Sequence, residues 1–172
     1  ALGARLAAEA KAASGGARTL SMCGICDRTA GAHAGEDWSE ALAAAGFDGP
    51  FYPERLPGPV LVHEPCTARY GPAGGTPVAA LLRRAGVDAR SFASPACCGG
   101  AAPFALEAPA ESAELGRRAA EAAAALGAAS FVTSDAGCLL QFATSFGERG
   151  PRALHAAAAL RLVTDPAYSP AP

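Results

Sequence analysis

Six cysteines give this 172-residue chain its clearest capacity for chemistry: Cys23, Cys26, Cys66, Cys97, Cys98 and Cys138. Cys23-Gly24-Ile25-Cys26 is a C-x-x-C, a spacing that lets two thiolates reach one metal from a single turn. Zinc sites and redox dithiols share that spacing. Cys97-Cys98-Gly99-Gly100 is rarer. Adjacent cysteines do not readily bond to each other, and their side chains diverge. Both serve one site only where the backbone bends sharply. Gly99 and Gly100 permit the bend, because glycine reaches positive φ and lets the main chain approach a bulky group. An iron–sulfur cluster suits such a loop, since it offers several iron corners and takes thiolate ligands.

Three other readings compete at this point. Six is an even number, which allows disulfides, although a chain of this length does not need such staples. Zinc needs four ligands, and Cys23, Cys26 and two further cysteines could supply them. Free cysteines also occur in ordinary cores, but a doublet followed by two glycines fits that reading poorly. Beside the cysteines, His63 could orient a loop or bond a cluster sulfur. It could equally be a hydrogen-bonded histidine at a strand end. Arg69 could offset thiolate charge. Asp135 could be a hard oxygen ligand, but its place before an expected helix favours an N-cap. His33 and His155 carry no pattern. His63-Glu64 lacks the second His of a metalloprotease motif, and Gly71 to Thr76 lacks the Gly-Lys-Ser/Thr of a phosphate loop. Neither Ser21 nor Ser134 sits in a nucleophile elbow.

The elements that must position these residues alternate between helix and strand. Residues 2–13 suit a helix, with Leu2, Leu6 and Ala10 on one stripe, ended by Ser14-Gly15-Gly16. Ala17 to Met22 reads as a short strand running into Cys23. Trp38 to Ala45 reads as a helix stopped at Gly46. A Pro-rich connector leads to the strand Val60-Leu61-Val62 and on to Cys66. Thr76-Pro77 looks like an N-cap and first helical position, for a helix through Leu81 and Leu82 to Gly86. Ala89 to Ala93 is the next strand, leading to Cys97. The longest helix is expected over 110–126, with Leu115, Ala119, Ala122, Ala123 and Leu126 on its buried face. Glu114 and Arg118 should pair on its wet face. Ser130 to Thr133 is a strand feeding Cys138 and a further helix through Phe146. The expected fold class is therefore α/β, a parallel sheet with helices on both faces. Each cysteine group follows a strand, and the carboxyl ends of strands form the ligand-binding edge of such sheets.

Composition sets outer bounds. Hydrophobic residues make up 51% and aromatics 6%, so the core rests on Leu, Val, Ala and seven Phe. A formal charge of −2 without a basic block argues against a nucleic-acid surface. No apolar run reaches membrane-spanning length, which leaves peripheral association as the only membrane contact to expect. The chain opens without Met in a helical pattern, and a truncated N-terminal part is the expectation. No targeting pattern is visible in the opening residues, and a cytoplasmic location is expected.

The order Cys66, Cys97-Cys98-Gly99 and Cys138 resembles the cysteine-rich CCG domain. That domain occurs in heterodisulfide reductases and in the iron–sulfur subunits of lactate and glycolate oxidases. Val62-His63-Glu64-Pro65-Cys66 with Arg69 is similar to the family's strand, His-x-Pro-Cys and nearby Arg. Cys97-Cys98-Gly99-Gly100 with Phe104 matches the central loop. Leu126-Gly127-Ala128, Val132-Thr133 and Cys138-Leu139-Leu140 match its close. The domain usually appears twice per chain. The resemblance thus implies a pseudo-duplicated protein, with residues 1–50 as the C-terminal part of a first unit and 58–172 as a second.

One departure stands out: Asp135 takes the place where the family often has the first Cys of a final C-x-x-C. Four thiolates remain, from Cys66, Cys97, Cys98 and Cys138, enough for a [4Fe–4S] cluster. The resemblance implies an electron-transfer component of an oxidoreductase, with flavin-bearing or ferredoxin-like redox partners. Cys23 and Cys26 would be half of another site. Direct disulfide reduction at the cluster and a zinc-stabilised interaction module without redox activity are the alternatives.

Overall fold

The computed structural model of the chain describes residues 36–70, 74–148 and 150–170, together with 8, 12, 13, 15, 17 and 20–22. Cys23, Cys26 and His33 lie outside the described residues, as does most of the helix expected over 2–13, of which Ala8, Ala12 and Ala13 are helical. The strand expected from Ala17 is β1 (Leu20–Ser21), and it pairs in parallel with β2 (Glu36–Asp37), a strand with no sequence signal of its own. Asp37 then caps α1 (Trp38–Ala44), its Oδ1 accepting from the amides of Ser39 at 2.9 Å and Glu40 at 3.2 Å.

The larger sheet holds β3 (Val60–His63), β4 (Ala89–Phe92), β5 (Ser130–Thr133) and β6 (Arg152–His155), all parallel, in the spatial order β4-β3-β5-β6. Between the strands run α2 (Cys66–Arg69), α3 (Val78–Arg84), α4 (Ala102–Glu107), α5 (Pro109–Ala124) and α6 (Ala136–Phe146), and α7 (Ala156–Thr164) follows the last strand. Strand side chains alternate between faces. Val60, Val62, Val132 and Leu154 therefore pack with Leu82 of α3 and with Leu160 and Val163 of α7. Leu61, Phe92 and Phe131 face the other way, against Ala119, Ala120 and Ala123 of α5 and Phe142 of α6. With both faces covered, β3 and β5 are buried throughout, which explains why Val60-Leu61-Val62 and Phe131-Val132 are apolar toward both faces rather than alternating.

The crossovers place the site. From β3 the chain leaves by α3 on the first face, and from β5 by α6 on the second. Neighbouring strands whose following helices go to opposite faces open a crevice at their carboxyl ends, the topological switch point. His63, Phe92, Thr133 and His155 stand in register along that edge.

Several expectations need correction. Thr76 does not cap α3: Pro77 holds the cap position, with no side-chain cap bond, while the Thr76 amide donates to Glu64 Oε2 at 3.0 Å. Leu126 is 53% exposed, because α5 ends at Ala124 and Leu126 falls beyond it. Ala119 and Ala123 are buried as expected and Leu115 and Ala122 are half-buried, while Ser112, Gly116 and Ala120 complete the buried stripe of α5. Both α4 and the pair β6–α7 lie where the sequence pattern predicts no element. The pairing of Glu114 with Arg118 is present at 2.7 Å, joined by Arg117. Among the described residues no helix is long and apolar enough to cross a membrane.

Candidate metal centre

Three strand exits deliver four cysteines to one place. Cys66 opens the one-turn helix α2 after β3, Cys97 and Cys98 follow β4, and Cys138 lies in the first turn of α6 after β5. All four line one pocket, together with His63, Glu64, Arg69, Tyr70, Ser94 and Ala96. All four are free thiols, with Cys98 and Cys138 buried, Cys66 half-buried and Cys97 exposed.

The doublet diverges as its sequence requires. Gly99 takes φ +80°, and its amide points at Cys97 Sγ at 3.4 Å, while the Gly100 amide points at Cys98 Sγ at 3.5 Å. Such N–H groups favour a thiolate over a thiol. There is no room for side chains here. A Cβ on Gly99 would stand 2.8 Å from the Ser112 carbonyl oxygen, and one on Gly100 would run into the Gly137 carbonyl. Gly137, at the start of α6, answers in kind: a Cβ there would lie 2.6 Å from the Gly100 carbonyl oxygen. Two hydrogen bonds lock this approach. Ser112 Oγ donates to the Gly99 carbonyl at 2.9 Å, and Gln141 Nε2 donates to the Ser112 carbonyl at 2.7 Å. Gly137, Ser112 and Gln141 carry no signal in the sequence, since their part in the site arises only from α5 and α6 packing on the loop.

Two of the sulfurs are paired: Cys98 and Cys138 share a hydrogen bond at 3.4 Å. The bond from Cys138 lowers the Cys98 thiol to about 7. That same bond, then burial, push the Cys138 thiol far above its ordinary range. Burial pushes Cys97 up as well. The buried pair thus sheds one proton readily and holds the second. Among the described residues no three His, Cys, Asp or Glu side chains converge on a common point as a single metal ion would require.

His63 is 3% exposed at the end of β3, with Nδ1 3.2 Å from Thr133 Oγ1. It packs among Phe92, Phe131 and Phe142. Burial lowers it to about 4, so it is neutral at pH 7. Arg69 is half-buried, with its guanidinium donating to the Ser94 carbonyl at 2.9 Å and to Tyr70 Oη at 2.7 Å. Asp135 is the N-cap of α6. Its Oδ1 accepts from the Cys138 amide at 3.0 Å, and Oδ2 accepts from Thr67 Oγ1 at 3.5 Å. Its carboxylate thus orients Cys138 through the backbone.

No curated protein and no solved structure matches the chain. A family model does, over residues 60–143, and it is described as the cysteine-rich domain CCG. The matched span runs from the first residue of β3 into α6, and so takes in all four pocket cysteines. Residues 60–143 thus match the cysteine-rich CCG domain, a domain found in iron–sulfur redox proteins.

Proposed function

We propose that residues 58–172 form an iron–sulfur electron-transfer unit of an oxidoreductase, with Cys66, Cys97, Cys98 and Cys138 as ligands of one [4Fe–4S] cluster. The observation that carries this reading is the convergence of the four thiols on one pocket at the switch point of the sheet. The donor set fits such a group in kind. Four cysteine sulfurs stand around one pocket, two of them in contact, which suits a cluster with separate iron corners. Amides of Gly99 and Gly100 point at two of the sulfurs, and the glycines leave the loop free of bulk. Ser94 lines the pocket, and its buried hydroxyl has no hydrogen-bond partner among the described residues.

A bound cluster supplies one-electron transfer at a potential set by hydrogen bonds, charge and exposure. The chain's own residues do the rest. Ligand thiols must lose their protons, and the bond with Cys138 eases that loss at Cys98. Arg69 holds a cation at the pocket wall, which offsets thiolate charge. Neutral His63 and its phenylalanines close the inner side to water. Exposed Cys97 marks the outer side, where a redox partner can approach.

The resemblance to the iron–sulfur components of lactate and glycolate oxidases and of heterodisulfide reductases supports a flavin-bearing or ferredoxin-like partner, in 2-hydroxy acid oxidation or disulfide reduction. Residues 1–50 fit the C-terminal part of a preceding unit, to which Cys23 and Cys26 would contribute. Anaerobic purification tests the core of this reading. The protein should be brown and contain iron and acid-labile sulfide in equal amounts. Colourless protein holding stoichiometric zinc would overturn it.

A further inference from the structure

We infer that the Ser94 hydroxyl is a built-in hydrogen-bond donor to a sulfur of this centre, holding its reduction potential up. The inference rests on the reading of the four cysteines as cluster ligands. Ser94 lies between β4 and Cys97, is 3% exposed, and lines the pocket with all four cysteines. Its Oγ is buried and has no hydrogen-bond partner among the described residues. Buried hydroxyls are rarely left so, because an unmade bond costs free energy on folding.

The neighbouring buried hydroxyls follow that rule. Ser112 is equally buried and donates to the Gly99 carbonyl at 2.9 Å, and Thr133 Oγ1 meets His63 at 3.2 Å. Ser94 is the exception, and it is the one of the three in the pocket wall. Its main chain is held in place, since Arg69 donates to its carbonyl at 2.9 Å. The residue lines the pocket, and a sulfur held there would supply the acceptor that its hydroxyl lacks. Thiolate and sulfide sulfurs are acceptors with no proton to give, and a hydroxyl is the complementary donor. A donor on such a sulfur stabilises the reduced, more negative form of a cluster, and so raises its potential.

The test uses Ser94→Ala and Ser94→Thr in the full chain, prepared anaerobically. Midpoint potential is read by redox titration with electron paramagnetic resonance, and unfolding of the cluster-free protein by denaturant. Ser94→Ala should keep its iron and sulfide but show a lower potential than wild type, and Ser94→Thr should return toward wild type. Cluster-free Ser94→Ala should be no less stable than cluster-free wild type, because no bond within the protein is lost. A cluster lost from Ser94→Ala but kept in Ser94→Thr supports the inference equally, since the hydroxyl is what the second variant restores. Equal potentials at equal iron content would overturn it. So would a destabilised or unfolded cluster-free Ser94→Ala, which would place the hydroxyl's partner within the protein. Wild-type protein without iron would instead overturn the four-cysteine reading itself, and this inference with it.

Discussion

Gly100 and Gly137 meet backbone to backbone, and that contact sets how near the doublet loop comes to the start of α6. A methyl at Gly100 must push the Gly137 carbonyl away and take Cys138 with it. Gly100→Ala should therefore cost about 1–3 kcal/mol in denaturant unfolding, the range for overpacking a tight contact, and lower the iron content of purified protein. Unchanged stability would mean that the two segments part easily. Asp135 invites a sharper test. As an N-cap it should tolerate Asn, whose side-chain oxygen also accepts from the Cys138 amide, whereas Asp135→Ala should lose about 1 kcal/mol. Iron lost from Asp135→Asn at unchanged stability would make Asp135 a ligand instead. The cysteines and their glycines were legible in the sequence because their residue types carry the chemistry directly. Ser94, Ser112, Gln141 and Gly137 were not. Serine, glutamine and glycine are common, and what distinguishes these four is the neighbour each meets across the fold.

The helices show where local signals suffice and where they fail. Gly116 lets α6 lie against α5, and a Cβ there would run into Gln141 Nε2. Gly116→Ala would gain about 1 kcal/mol in an open helix, yet here that gain should be cancelled or reversed, because Gln141 must leave the Ser112 carbonyl, a bond worth about 0.5–1.5 kcal/mol, and Ser145 Oγ must give way as well. Circular dichroism melts would reveal the sign. At the start of α7, His155 serves as N-cap, its Nδ1 accepting from the Ala157 amide at 3.2 Å. Burial lowers its protonation below the ordinary 6.5, against weaker opposing effects from the Ser134 backbone and Asp135. Its neutral form is the one that caps. The unfolded chain takes up a proton that the folded chain resists, so this contribution is complete above about 6.5 and falls as pH drops below it. His155→Asn keeps a cap acceptor without titrating, and its stability should fall less than wild type between pH 7 and pH 5. Equal pH profiles would contradict this. Apolar runs made β3, β5, α5 and α6 visible, whereas β6 buries only Leu154 among its four residues, too little to stand out. Thr76 looked like a cap by type, but its amide and hydroxyl turn to Glu64.

At the scale of the molecule, four parallel strands and their crossovers bring together cysteines separated by as many as 72 positions, from Cys66 to Cys138. The alternation of apolar runs and helical stretches carried the fold class, and the rule that ligands gather at carboxyl strand ends carried the location. Strand order was not legible, because Val60-Leu61-Val62 and Phe131-Val132 do not say which neighbour each will take. That order is what sets Cys66 and Cys138 on either side of one crevice. The central claim is that these two, with Cys97 and Cys98, form a self-sufficient cluster site. Iron and sulfide analysis of the anaerobically purified full chain tests it most directly, comparing Cys98→Ser with the double variant Cys23→Ser/Cys26→Ser. The account predicts that the double variant retains a cluster with iron and sulfide in equal amounts, while Cys98→Ser loses it. A double variant without iron, or a Cys98→Ser protein with its full complement, would contradict it.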